Sequence, residues 1–426
     1  MTVGIFIGAL LGTMALGIPI AFALLATGVA LMWHLDLFDA QILAQNVING
    51  ADSFPLLAVP FFMLAGEIMN VGGLSKRIVN LAMALVGHIK GGLGYVAILA
   101  ACLLSALSGS AVADAAALTA LLLPMMVAAG HSKSRSAGLI AASGVIGPVI
   151  PPSIGFVIFG VAANVSISKL FLAGIFPGLL LGAALWFTWW WVGRREAIQP
   201  PPKKSRAEVG RALRDSVWAM MLPVIILVGL RMGVFTPTEA AVVAAVYALF
   251  VSTVVYRELR LSQLYAIFVT ASRTTAVIML LVAAAMVSAW LVTVADLPSK
   301  IIDLLKPFMG NPTMLLVAIM VLVLVVGTAM DMTPTILILT PVLMPVVKAA
   351  GIDPVYFGVL FIINNSIGLI TPPVGTVLNV VAGVGRMKMD DVTRGVLPFM
   401  LAQFIVMFLL VAFPSLVLVP LRWLAG

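Results

Sequence analysis

Long apolar runs dominate the chain, and polar residues punctuate these runs instead of alternating with apolar ones. A helix needs about 20 apolar residues to cross a bilayer, so the runs predict roughly ten or more spanning or re-entrant segments. The first run, Val3 to Trp33, is too long for the core of a signal peptide and lacks a basic stretch before it, so it reads as a membrane segment. Two runs are interrupted in the same way: IGPVIPPSIG (Ile146–Gly155) and IGLITPPVG (Ile367–Gly375) set adjacent prolines deep inside apolar stretches. Proline removes a backbone donor and breaks the helical ladder. Backbone groups bared in hydrocarbon are tolerated only where protein or a water-lined cavity satisfies them.

The two interruptions belong to a repeat. Pro151 and Pro372 are 221 positions apart, as are Pro124 and Pro345, Gly174 and Gly395, and Pro177 and Pro398. Upstream the offset drifts, GLSK at Gly73–Lys76 resembling LPSK at Leu297–Lys300 with a shift of 224. The chain therefore divides into residues 1–215 and 216–426. Each half carries a re-entrant hairpin (about 92–129 and 312–349) and a broken helix (about 137–165 and 354–384).

Charge placement orients the halves. The loop Gly193–Asp215 holds seven Lys/Arg against three acids and follows the aromatic belt WFTWWWV at Trp186–Val192, which places it in the cytoplasm. Counting outward from it puts Lys133 and Arg135 inside and the matching AAGID (Ala349–Asp353) outside, so the repeats are expected to be inverted. Lys76 and Arg77 fall outside in this count and are assigned to an interfacial helix. The expected fold is an all-α polytopic membrane protein of two inverted repeats. Inverted repeats with discontinuous helices at mid-depth mark secondary transporters, where freed carbonyls coordinate Na⁺ and helix N-termini face anions.

Composition agrees: of 426 residues 62% are hydrophobic and 9% charged, against roughly 45–50% and 25% in soluble domains. The net charge of +8 is concentrated beside a membrane exit, which argues against nucleic acid as a partner. Cys102 is the single cysteine and reads as a small apolar residue. His34, His88 and His131 lie at segment ends, no metal-ligand spacing occurs, and no phosphate-binding Gly-rich loop with Lys-Ser/Thr is present, so neither catalysis nor direct ATP use is supported.

Acids within apolar segments are functional candidates by default. Here they are Asp52, Glu67, Asp114, Glu239 and Asp331. Asp114 and Asp331 lie in matched hydroxyl-rich stretches, SALSGSAVAD (Ser105–Asp114) and GTAMDMTPT (Gly327–Thr335), each resembling the tip of a re-entrant hairpin. At the repeat offset Ser110 maps onto Asp331. Oxygen ligands expected for Na⁺ are Ser105, Ser108 and Gly327 at one site and Gly368 and Thr371 at another, the division between sites staying open. Ser110, Ser153 and Asp331 are expected to face an organic substrate, and Asp114 to ligate or to brace the tip. A serine in a membrane helix can also be packing glue. Glu239 after Thr236–Pro237 reads as a helix start, Asp52 as a cap beside Pro55, and Glu67 as a partner for Lys76 or for another subunit. Asp114 and Asp331 could also be cast as the pair of an intramembrane aspartyl protease, but neither has a Gly-x-Gly-Asp context.

NGADSFPLLAVPFFMLAGEIMNVGGLSKRIV (Asn49–Val79), SGSAVADAAAL (Ser108–Leu118), GPVIPPSIGFVIFG (Gly147–Gly160), GVFTPTEAAVVAAVYAL (Gly233–Leu249) and GLITPPVGTVLNV (Gly368–Val380) together resemble the large membrane subunit of tripartite ATP-independent periplasmic (TRAP) transporters, nearly end to end. Within that family the chain is most similar to the branch handling sugar acids such as diketogulonate. The resemblance implies an inner-membrane importer, not an enzyme, that co-transports two or more Na⁺ with an organic acid, a dicarboxylate or a sugar acid. It implies as partners a small four-helix membrane subunit and a periplasmic substrate-binding protein, and an elevator motion of the hairpins against a scaffold. By motif it extends the substrate neighbourhood to Thr333 and Pro152. The rival within the same architecture is a stand-alone ion or dicarboxylate carrier that needs no binding protein.

Overall fold

The computed structural model describes residues 2–194, 202–296, 299, 302 and 308–425. Residues 195–201 of the basic loop and most of the LPSK stretch lie outside the described residues. Helices joined by turns make up the described chain, and nine of those helices are long and apolar enough to cross a membrane.

Two sets of helices pack side by side. The first joins α1 (Thr2–Ala15), α2 (Ile20–His34), α3 (Ala40–Ala51), α4 (Ala58–Val71) and α5 (Leu74–Val86) to α11 (Arg206–Arg231), α12 (Pro237–Phe250) and α13 (Leu261–Val294). The second joins α6 (Gly92–Ser108), α7 (Ala111–Ala128), α8 (Lys133–Gly144), α9 (Ile154–Ala163) and α10 (Ile167–Gly193) to α14 (Pro312–Ala329), α15 (Met332–Ala349), α16 (Pro354–Gly368), α17 (Thr376–Gly385), α18 (Met389–Ala412) and α19 (Ser415–Ala425). Helix α13, at 34 residues, spans about 51 Å at about 1.5 Å per residue. It runs along α2, α3 and α4 and reaches across to α15.

Sequence chemistry starts these helices where the polar punctuation falls. Asp39 accepts from the Gln41 and Ile42 amides to open α3, and Asp353 does the same for α16 through Val355 and Tyr356. Ser205 with Glu208 and Thr236 with Glu239 form reciprocal capping boxes on α11 and α12. The expected helix start at Glu239 is thus present, with Pro237 in the first helical position. Asp52 instead trails α3 at its C-terminal end, and its side chain caps nothing among the described residues.

The second set repeats its own order. Helices α6 to α10 and α14 to α18 follow one another with matching lengths and breaks. Contacts are exchanged between the halves: α7 lies on α17 while α15 lies on α9, and α8 packs on α18 while α16 packs on α10. Where α8 crosses α18, a Cβ on Gly138 would overlap the Gly395 backbone, so small residues let the two helices touch main chain to main chain. Residues 145–153 separate α8 from α9, and residues 369–375 separate α16 from α17. Each interruption holds one of the diprolines, and both Pro–Pro bonds are cis.

Candidate functional site

Each turn between paired helices rests on a break. At the first, α6 ends at Ser108, Gly109 turns with φ +60°, and Ser110 opens α7, its hydroxyl accepting from the Ala113 amide at 3.4 Å. The turn needs glycine twice over, because a positive φ strains other residues and a Cβ there would stand 2.6 Å from the Pro152 carbonyl oxygen. Ser108 Oγ donates to Asp114 Oδ1 at 2.5 Å and accepts from the Ser110 amide at 3.2 Å. Asp114 is buried, and its Oδ2 has no partner among the described residues. That oxygen looks onto the first break, where a Cβ on Gly147 would come within 2.9 Å of it.

The second turn meets the second break by bare backbone. A Cβ on Gly368 would stand 2.9 Å from the Gly327 carbonyl carbon, and one on Gly327 would stand 3.2 Å from Asn365 Oδ1. Asn365 Nδ2 donates to the Met332 carbonyl at 3.0 Å and Asn364 Nδ2 to the Met320 carbonyl at 2.5 Å. Both side chains are fully buried, and both Oδ1 atoms lack a donor among the described residues. An unpaired buried acceptor is costly, so Asp114 Oδ2 beside Gly147 and Asn365 Oδ1 beside Gly327 are candidate contacts for a cation or a polar ligand. Among the described residues no three His, Cys, Asp or Glu side chains gather. An ion there would be held by backbone, amide, hydroxyl and single carboxylate oxygens, which suits a hard cation.

Between the two sets of helices, against the turns, lies a cavity of about 430 Å³. Ser110, Asp331 and Thr333 line it with Gly109, Pro148 and Gly155, and the first set closes it with Ile20, Met63, Thr274 and Ile278. Three helix N-termini supply its wall, those of α7 at Ser110, α9 at Ile154 and α15 at Met332. Converging N-termini raise the local potential and favour an anion. Asp331 precedes α15 in the position that Ser110 holds before α7, but its carboxylate caps no amide and is exposed. A carboxylate there accepts hydrogen bonds, so the cavity suits an anion that also carries hydroxyl or amine donors.

The hydroxyls of Ser105, Ser153 and Thr371 lie outside the cavity wall and donate to carbonyls of their own segments. Ser105 is buried and donates to the Ala101 carbonyl at 2.5 Å. Ser153 is buried, donates to the Pro148 carbonyl at 2.5 Å and accepts from the Phe156 amide at 3.2 Å, binding the first break to the start of α9. Neither Ser153 nor Pro152 is in the cavity wall. Thr371 donates to the Ile367 carbonyl at 2.8 Å and touches Met400 Sδ at 3.6 Å. Glu67 makes no ion pair with Lys76; the charge partner observed on α5 is Arg77, bound to Glu258 at 2.7 Å and stacked on Tyr256. Asn364, Asn365 and the buried Gln403, which donates to the Ala142 carbonyl at 2.8 Å, were not among the sequence candidates. Their signal was an amide pair in an otherwise apolar run, with Asn364 at the repeat offset from Ser143, another buried hydroxyl without a partner among the described residues.

The model of the tripartite ATP-independent periplasmic transporter DctM component matches residues 7–416. The chain belongs to the TRAP transporter large-permease family. It is 58% identical over 424 residues to the 2,3-diketo-L-gulonate TRAP transporter large permease protein YiaN of Escherichia coli (strain K12), with 100% of each chain covered. It is 43% identical over 408 residues to the sialic acid TRAP transporter large permease protein SiaM of Vibrio cholerae, with 96% of each covered. In fold it is similar to the YdaH transporter of Alcanivorax borkumensis, with a TM-score of 0.67, 92% of this chain and 91% of that one covered, and 18% identity. The motif resemblance to TRAP large subunits therefore holds, as does the all-α membrane fold. As a TRAP large permease the protein is a multi-pass component of the bacterial inner membrane.

Proposed function

We propose that this TRAP large permease imports an organic acid, delivered by a periplasmic binding protein, and that Na⁺ moving inward supplies the work. The substrate is a hydroxylated acid of the sugar-acid type, held at the cavity between the two turns. The observation that carries this reading is the convergence of three helix N-termini on a cavity that also holds Ser110, Thr333 and the uncapped Asp331. The N-termini and Ser110 receive the substrate carboxylate, and Asp331 and Thr333 take its hydroxyls. YiaN, over half identical along its whole length, is named for such an acid.

Na⁺ binds where each turn meets its break. One site uses Ser105, Ser108 and Asp114 with carbonyls near Gly147; the other uses Gly327, Asn365, Gly368 and Thr371. Moving one charge inward is worth about 2.3 kcal/mol per 100 mV, so two or more ions accumulate an anion against its gradient. The turns and breaks belong wholly to the second set of helices, and the cavity lies at its boundary with the first. The second set is the moving body of an elevator, and the first, with a small four-helix subunit, is its scaffold.

The test is uptake into proteoliposomes of the purified large and small subunits. Accumulation should require both an inward Na⁺ gradient and the cognate binding protein, and should vanish when K⁺ replaces Na⁺. Undiminished uptake without Na⁺ refutes the coupling. Equal uptake of free acid without the binding protein replaces this reading with the stand-alone carrier.

A further inference from the structure

A second cavity, of about 640 Å³, lies away from the transport site, between the amphipathic α5, the ends of α6 and α7 away from their turn, and Pro202 and Lys204 just before α11. Val79, Met83, Leu93 and Leu121 give it an apolar floor. Lys76 and Lys204 stand at its wall, and no carboxylate does; the shared wall puts Lys76 on the same side as the basic loop, correcting the charge count that set it outside. The wall also holds His88, whose Nδ1 is buried without a partner among the described residues. The apolar floor runs out onto exposed apolar surface at Leu121 and Met125. The depth is that of a membrane interface: nearby Lys90 donates to the Arg194 carbonyl at 3.2 Å, beside exposed Trp190 and Trp191, and the Arg194 guanidinium stacks over Trp191. An acid-free pair of cations above an apolar slot that opens sideways into hydrocarbon matches a phosphodiester with acyl chains. Basic pockets between membrane helices on the cytoplasmic side take such headgroups.

We propose that this cavity binds an anionic phospholipid, with its phosphate between Lys76 and Lys204 and an acyl chain along Met83 and Met125. The neighbouring groove adds Arg211 but also Glu208 and Asp215, so the site proper is the pair of lysines. The lipid bridges α5 of the first set of helices to α7 of the second. The proposal is independent of what the permease carries.

The test is native mass spectrometry of the full-length protein titrated with phosphatidylglycerol, cardiolipin or phosphatidylethanolamine in detergent. One anionic lipid should be retained in preference to phosphatidylethanolamine. The double variant Lys76→Gln/Lys204→Gln should lower that retention at least 5-fold, whereas Lys388→Gln/Arg394→Gln, with the same loss of charge elsewhere, should not. Ala128→Trp, which fills the slot and leaves both lysines, should lower it as well. All five positions are exposed, so melting temperatures should be unchanged. Equal retention of phosphatidylethanolamine, or wild-type retention by both cavity variants, overturns the proposal. Displacement by soluble glycerol phosphate at the lipid's own concentration would make this a phosphate site and overturn it too.

Discussion

Asp331 and Ser110 occupy the same place in two copies of one turn, and they use it differently. Ser110 caps its helix, while Asp331 leaves its carboxylate uncapped in the cavity. A charged group that serves neither capping nor packing can be changed without unfolding the protein. Asp331→Asn should therefore lower uptake by about 10- to 100-fold, the loss of a charge-assisted hydrogen bond of about 1.5–3 kcal/mol, with an unchanged melting curve. Proteoliposome uptake and thermal melting of the same preparation check this. Asp114 differs because one carboxylate oxygen is already committed to Ser108. Asp114→Asn can keep that bond and loses the charge, so the Na⁺ concentration for half-maximal uptake should rise about 10-fold or more, by removal of a direct oxygen ligand. A Na⁺ titration of initial rates decides it, and an unchanged half-maximum assigns Asp114 to bracing the turn. At this scale the sequence singled out polar residues that interrupt apolar runs, and of these the structure joins Ser108 to Asp114 and sets Asp331 at the cavity wall. The sequence was not readable at Asn365, because an amide's role depends on which atoms lie opposite it, and Gly327 and Met332 are far away in the chain.

The interrupted helices were the most legible elements, since two prolines in an apolar run have few structural meanings. What the prolines alone could not say is that each break is filled by the turn of its own repeat. That contact depends on glycine: Gly109 on Pro152 in one copy, Gly327 on Gly368 in the other. Gly109→Val should separate turn from break, since it combines strain at positive φ with a Cβ 2.6 Å from a carbonyl oxygen. The expected stability loss is about 1–3 kcal/mol, with uptake abolished. Gly130→Val, also at positive φ but facing open space, should carry the strain and keep the uptake. Pairings across the chain were less legible. Arg77 on α5 and Glu258 beyond α12 are 181 positions apart, and nothing in either local pattern ties them. The expectation of a Glu67–Lys76 pair followed nearness in sequence, which on separate helices does not amount to nearness in space.

For the molecule as a whole, the offset of 221 carries the expectation of two copies of one plan, and helices α6 to α10 and α14 to α18 follow one order. The offset does not reveal that the copies are interlocked. Helix α7 packs on α17, α15 on α9, α8 on α18 and α16 on α10, so each copy completes the other's surface. Severing the chain between residues 195 and 201 should leave an active transporter when both fragments are made in one cell, and neither fragment alone should accumulate; immunoblots and uptake measure this. The same interlock has a consequence during synthesis. At about 5–20 residues per second, contact partners such as Gly138 and Gly395, 257 positions apart, leave the ribosome about 13–50 s apart. Through that interval α8 and its diproline interruption sit in lipid with half their neighbours unmade. The newborn first half is thus an obligatory client of whatever membrane-inserting machinery shelters polar backbone, and its exposure to degradation is fixed by the speed of translation.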